Sequence, residues 1–580
     1  MKLSLIIIYL LKNTPILKTI KEVAPAPLGF PPKNPYIPTN FMVNMPILNN
    51  TDVKPVILRK TALSVLWYKY GSFFYCPFGV IRILLRNPYV SMTQSNFFKL
   101  RFLKVLLYSI LPIDSFYSTM AGLDFTVSLL TQGVVLFFYG YTQRIMQIYN
   151  KIIILFKRLS VDYESFNRFK SVVLSSIRSR IRLSPIDIVD DQFDDIIFSE
   201  KVPLLDLVKL AQEFDHFSIN SFFYNFLSSL HFDILVSGNI PPQDALHILY
   251  MLEAVFSSHP LRLSQYTDTR VLTLENGSDY FYAQQMDKKE DRSSVLVYFE
   301  GPKMNELKKS LLLYVTHLII KGPLFSRLRI KEQLGYIIRN RVRTSGTVLG
   351  YYVILQSERQ PHVLHSRIDA FISSAYEIFR NMTSEEFNYY LEGYETVFLA
   401  KPLTILSETY TTWLDIIDRT YISLTGAYQF DFGNITIQDA MDFFKEMFYS
   451  GKRRISFYAF SPYFTDMYNV FDLPLDKLSE FLHTKGQEIS EEQLREYLLL
   501  STNIVDFHDK LVLHLSDKND NVTVKGLLND TFHYLSSLYY DEKMDFLSPL
   551  EMIDDITYFK ANLSLSSSFI NSSYWNAFYR

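Results

Sequence analysis

Residues 133–141, GVVLFFYGY, and residues 347–356, TVLGYYVILQ, are two stretches of the same kind. Each is a run of β-branched and aromatic residues of strand length. Each gives way to apolar positions at helical spacing, over 144–156 after the first and 363–379 after the second. The likeness continues downstream. Residues 232–236 (FDILV) lead into Ser237-Gly238-Asn239 and Pro241-Pro242, while residues 454–460 (RISFYAF) lead into Ser461-Pro462. Helical periodicity fills 202–225 and 370–396, between the members of each pair, and the copies are offset by roughly 220 residues. Two domains of one topology in tandem explain this repetition. Because consecutive helices separate the strands, the pattern predicts an α+β fold. It would comprise two tandem homologous α/β sandwich domains, each an antiparallel-rich sheet packed with helices, and not a doubly wound parallel sheet.

The helical pattern that follows the first copy ends in Ser257-Ser258-His259-Pro260, which places the break between copies near residue 262. The expected organisation is an N-terminal extension over 1–27, a first domain over 28–262 and a second over 263–476. A polar, acidic insertion over 477–549 and a C-terminal segment over 550–580 that returns to the second domain complete it. Residues 3–11 (LSLIIIYLL) have the look of a short secretory signal core and are too short to cross a bilayer; a buried edge element reads equally from them. Localisation stays open between cytoplasm and secretion, and no transmembrane helix is expected.

The chain has 580 residues, 48% hydrophobic and 20% charged, with 58 Lys and Arg against 60 Asp and Glu. That composition excludes a disordered or fibrous chain, and a net charge of −2 argues against a general nucleic-acid binder. A single cysteine, Cys76, excludes an internal disulfide framework and cysteine-built metal sites; its aromatic neighbours suggest a small buried residue. Zinc peptidases pair two histidines with a glutamate at helical spacing, yet neither His-x-x-Glu-His nor His-Glu-x-x-His occurs here. His362 and His365 come nearest, and without a third ligand they read as solvated residues in the first turn after Pro361. No metal site and no cofactor is expected in this chain.

One motif carries chemistry. An apolar helix from 307 is expected to stop at Gly322-Pro323, followed by a short helix bearing Arg327, Arg329 and Lys331, with Gly335 as a left-handed cap. Tyr336 then opens a strand. Arg329 and Tyr336 would project to one place and offer guanidinium and phenol donors to a single oxygen; a solvated basic helix before an edge strand is the plainer reading.

RLRIKEQLGY at 327–336, together with GTVLGYYVILQSERQPH at 346–362 and PPKNPYIPTNF at 31–41, closely resembles the C-terminal half of insulin-degrading-enzyme-like (insulysin) peptidases in the pitrilysin family. Weaker collinear matches include Leu66-Trp67-Tyr68-Lys69, Lys401-Pro402 and residues 551–560. The resemblance implies the third and fourth domains of a four-domain inverzincin whose two halves enclose a peptide chamber. It implies that Arg329 and Tyr336 stabilise the scissile carbonyl and its tetrahedral intermediate, and that Phe325 lines the pocket for the residue after the cut. Zinc is then expected only in a separate N-terminal half, since residues 1–27 are too short to hold it. The family's basic polyanion-binding stretch reads VFLAKPLT here, over 397–404, so that regulation is not carried over.

The expected function is the substrate-binding half of a zinc metallopeptidase, inactive alone. Its partners would be a peptide and a zinc-bearing half or homologous subunit. The alternative is a catalytically inactive homologue that binds peptide or pairs with a subunit. Nucleic-acid or anion binding through residues 327–343 is disfavoured by the neutral balance of charge.

Overall fold

The computed structural model describes residues 32–43 and 55–461, apart from 71–73, 91, 111, 158, 181–182, 200, 202–203, 267–269, 287–289, 401 and 419–431. It also describes 475–499 apart from 485–488, residues 507, 510 and 511, and 550–567. The apolar run at 3–11, the extension over 1–27, Lys401 and most of the insertion lie outside the described residues.

The first sheet is built from β1 (Val56–Lys60), β2 (Ser64–Tyr70), β3 (Phe78–Arg86), β4 (Asp124–Leu130), β5 (Gly133–Tyr141) and β6 (His231–Gly238), in the order β1-β2-β6-β3-β5-β4. Helices α1 (Gln94–Ile110) and α2 (Pro112–Met120) join β3 to β4, and α3 (Thr142–Phe156) follows β5. Then come α4 (Tyr163–Arg180), α5 (Pro185–Ile197), α6 (Leu204–Glu213) and α7 (His216–Ser228) before β6, with α8 (Pro242–Phe256) after it. Every neighbour pair is antiparallel except β2 with β6. Strand β6, enclosed on both sides, is buried along its whole length, as its unbroken apolar centre FDILV requires. It ends at Gly238, whose φ of +90° and close approach to the Phe78 carbonyl leave no room for a Cβ.

The second sheet repeats this wiring. Its strands are β7 (Leu272–Thr273, paired apart from the main sheet), β8 (Asp279–Gln285), β9 (Ser293–Lys303), β10 (Ile337–Ser345), β11 (Val348–Ser357), β12 (Arg454–Phe460) and β13 (Glu551–Met552). The order β8-β12-β9-β11-β10 matches β2-β6-β3-β5-β4, with β8 parallel to β12 as β2 is to β6. The outer strand differs: β13 comes from the C-terminal segment and runs parallel to β8, whereas β1 precedes β2 and runs antiparallel to it. Helix α9 (Leu307–Phe325) precedes β10, and α10 (Pro361–Arg380), α11 (Ser384–Phe398), α12 (Ile405–Asp418) and α13 (Ile437–Lys445) lie between β11 and β12. Two further helices, α14 (Leu475–Thr484) and α15 (Glu491–Leu499), lie where the sequence offered only an unreadable insertion. Helix α16 (Ile556–Asn562) leads to β14 (Ser564–Leu565), which pairs with β7. The α+β architecture of two like sandwiches expected from the repeat is the one observed.

One face of each sheet packs on its own helices. Ile145, Ile148 and Ile152 of α3 and Ile248, Leu249 and Leu252 of α8 join the first core, and Leu311, Val315 and Ile319 of α9 with Ile368 and Ile372 of α10 join the second. The opposite faces exchange helices. Ile186, Val189, Phe193 and Ile196 of α5 pack on Leu296, Tyr298, Ile354 and Phe457 of the second sheet, while Trp413, Ile416 and Ile417 of α12 pack on Val65, Trp67, Leu84 and Leu235 of the first. Each loan is fastened by a buried or half-buried cation. Arg343 on β10 reaches Asp190 and Asp194 of α5 at 2.7 and 2.6 Å. Fully buried Arg86 on β3 donates to the Ile417 carbonyl at 3.1 Å and to Asp233 at 2.9 Å.

Candidate functional site

Helix α9 does not stop at Gly322-Pro323. It runs on to Phe325 and passes without a break into a π-helical turn over Ser326–Lys331. Buried Leu311, Leu313, Val315, Ile319, Ile320 and Leu324 hold one face of the helix in the core, so packing offsets the hydrogen bond that Pro323 cannot donate. By length and composition, residues 307–331 could also cross a membrane, but half of that stretch is buried inside the protein, as in a core helix.

The π turn is closed by the Glu332 amide donating to the Arg327 carbonyl at 2.9 Å, and the Leu334 amide donates to the Leu328 carbonyl at 3.0 Å. Gln333, not Gly335, takes the left-handed conformation, with φ of 51°. Gly335 serves by its lack of a side chain: a Cβ there would stand 2.1 Å from the Gln356 carbonyl oxygen. Thus the chain leaves the turn pressed against β11 and enters β10 directly after Tyr336.

Three charged side chains fasten the turn to α10. Arg327 meets Glu332 at 2.9 Å and donates to the Ser374 hydroxyl at 2.6 Å and the Ala370 carbonyl at 3.2 Å. Arg367 of α10 takes both oxygens of Glu332 at 2.8 Å. Burial pushes the Glu332 carboxyl up, but the hydrogen bonds and charges of Arg367 and Arg327 prevail and hold it below the ordinary carboxylate range. Leu328 and Leu334, both buried, pin the turn from below.

This scaffold brings the sequence-predicted trio together. The Arg329 guanidinium lies over the Tyr336 ring at 4.6 Å and over the Phe325 ring at 5.1 Å. Among the described residues it meets no carboxylate. Tyr336 is 81% exposed and Phe325 36%. A guanidinium that packs on aromatic rings can still donate from its N–H edge, so arginine and phenol form a pair of donors beside an aromatic platform.

Other candidates fare differently. His365 is not solvated and His362 is half-buried. Burial holds His362 down to about 4, and His365 is fully buried with Nδ1 2.6 Å from the Tyr458 hydroxyl and Nε2 3.5 Å from Asp369. His365 belongs to a buried charge cluster that periodicity did not reveal: Asp369 and Asp279 both engage Arg454, and Lys452 meets Asp279 at 2.7 Å. These commitments do not suit a zinc site, and among the described residues no group of three or more His, Cys, Asp or Glu could hold a metal ion. Cys76 is half-buried, less enclosed than its aromatic neighbours suggested.

Residues 11–209 match the model of the middle or third domain of the M16 peptidases. Residues 315–413, which carry the Arg329 and Tyr336 turn, match that of C-terminal lobe domain 4 of PqqF-like PQQ synthase. Human insulin-degrading enzyme is 27% identical over 445 residues, covering 72% of this chain and 41% of that enzyme.

The chain is homologous to the M16 peptidases.

The Schizosaccharomyces pombe putative zinc protease mug138 is 24% identical over 402 residues, 68% of this chain and 41% of its own. The chain therefore spans about two-fifths of the length of these curated relatives, and it corresponds to the C-terminal half of insulin-degrading enzyme. Pitrilysin superposes with a TM-score of 0.68 at 16% identity over 95% of this chain and 50% of its own. A Helicobacter pylori protease gives 0.53 at 12% identity over 70% of this chain and 99% of its own. Both establish the M16 fold of this chain.

Proposed function

We propose that this chain is the substrate-binding half of an insulin-degrading-enzyme-like M16 metallopeptidase, in which Arg329 and Tyr336 hold the scissile carbonyl. The observation that carries this reading is the convergence, on a braced π turn, of an arginine that meets no carboxylate among the described residues with an exposed tyrosine whose ring centre lies 4.6 Å from the guanidinium. Their N–H and O–H groups can donate to one oxygen, and that pairing gains strength as negative charge develops there in a tetrahedral intermediate. Phe325 beside them supplies an apolar wall for the residue after the cut. Zinc would be supplied by a separate N-terminal half, as would the base that activates water.

The test is cleavage of a quenched peptide by this chain mixed with a zinc-bearing M16 half. Tyr336→Phe should lower kcat/KM on the order of 10²-fold, because one transition-state donor is lost, and Arg329→Ala should cost at least as much. Equal rates for wild type and Tyr336→Phe would overturn the catalytic role. A Pseudomonas fluorescens protein of related fold is described as a peptidase M16 inactive domain; peptide binding without cleavage in any mixture would favour that second reading, a silent peptide-binding homologue.

A further inference from the structure

Strand β10 is an unusual edge. Sheet edges in native proteins are commonly blunted by bulges, prolines, short length or a covering helix, because unpaired backbone groups recruit foreign strands. The first sheet follows that custom at β1, a strand of only five residues whose register with β2 shifts between Ile57 and Arg59. By contrast, β10 runs nine residues in unbroken antiparallel register with β11, from Ile337 opposite Gln356 to Ser345 opposite Val348, with no bulge and no proline. No strand pairs with its outer side among the described residues. Alternate N–H and C=O groups along it therefore point away from the sheet.

The guard on this edge is charge. Residues two apart share a face, and Ile337, Arg339, Arg341 and Arg343 lie on the face that α5 covers, with Arg341 opposite Tyr352. Arg343 is consumed by Asp190 and Asp194, and Asp191, the third carboxylate of that cleft, is met by Arg180 at 2.8 Å. Arg339 and Arg341 remain exposed, with no ion pair among the described residues. Two cations at strand period repel a basic strand and attract one that places carboxylates at the same period.

We infer that β10 is a docking edge for an extended acidic peptide, which adds to the second sheet as a seventh strand and sets its carboxylates, two residues apart, against Arg339 and Arg341. This deepens the reading above and rests on it for its purpose: Tyr336 immediately precedes β10, so a strand seated there would run into the Arg329 and Tyr336 pair. The edge would then select substrates with alternating Asp or Glu a few residues from the bond to be cut.

The experiment is fluorescence anisotropy on the full chain alone, with a labelled peptide of alternating Glu and Val. Binding should weaken about tenfold or more for the Arg339→Glu/Arg341→Glu chain, and by a similar factor when the peptide's Glu residues are replaced by Lys, a change that leaves the protein untouched. N-methylation of alternate peptide amides, which removes backbone donors and keeps charge, should abolish it. Undiminished binding of the N-methylated peptide would overturn strand addition, and indifference to both charge reversals would overturn the acidic preference. Because no cleavage is measured, failure here is distinct from failure of the carbonyl-holding role: the strand reading stands if Tyr336→Phe leaves cleavage unchanged but this binding is seen.

Discussion

Burial pushes the Glu300 carboxyl up to about 7, although the Leu274 amide donates to it and the charges of Arg453 and Lys303 oppose the shift. In the unfolded chain the same group titrates near its ordinary value of 4.5. Between those values the unfolded state releases a proton that the folded state keeps, so this residue's contribution to stability falls as pH rises from 4.5 to 7. Glu300→Gln keeps an acceptor for Leu274 and has no proton to lose. Urea denaturation should therefore show the variant gaining on wild type between pH 5 and pH 8, by up to about 3 kcal/mol. His317, which burial holds down to about 4, acts in the opposite sense in wild type, losing stability as pH falls below 6.5. The comparison of variant with wild type cancels that contribution. Arg454 is a sharper case: it is fully buried against both Asp279 and Asp369, so Arg454→Ala leaves Asp279 with Lys452 alone and Asp369 with His365 alone and should cost on the order of 3–5 kcal/mol.

At the scale of elements, α12 shows what a borrowed helix contributes. Trp413 is 3% exposed and sits with Ile416 and Ile417 against Val65, Trp67 and Leu235. Trp413→Ala should destabilise the protein by about 3–5 kcal/mol in thermal or urea unfolding, through lost burial and the cavity left behind. Sequence patterns identified the strands GVVLFFYGY and RISFYAF to the residue and the helices after β5 and β11 to within two, because period and residue type are local properties. They misplaced the end of α9, since Gly322-Pro323 breaks helices only where packing does not pay more than the lost hydrogen bond. They also misassigned the left-handed residue, which fell to Gln333 because Gly335 was needed where the chain touches β11. Arg329, Tyr336 and Phe325 were legible because they lie within twelve residues of one motif. The Arg454 cluster was not, since its members come from β8, α10 and the start of β12 and meet only in the folded chain.

Across the whole molecule, the exchange of α5 and α12 ties each sheet to chain from the other half. Phe193 on α5 packs edge-on against Tyr298 and Phe457 of the second sheet, whereas Trp67 and Trp413, two of the chain's three tryptophans, report on the first once Trp575 is replaced by Phe. Phe193→Ala should therefore lower the midpoint seen by tryptophan fluorescence together with that seen by circular dichroism, as one cooperative transition. A fluorescence midpoint left in place while the circular dichroism midpoint falls would mean that the two sandwiches unfold independently. The amino-acid sequence by itself determined the repeated α+β pattern, the absence of a His-x-x-Glu-His motif from this chain and the short motif that unites Arg329 with Tyr336. Each is written in spacing along the chain. Only the tertiary structure decided which faces trade helices, where the buried charges pair, and that no strand among the described residues pairs with the outer side of β10. Those features depend on contacts between residues far apart in sequence, whose free energy no local period encodes.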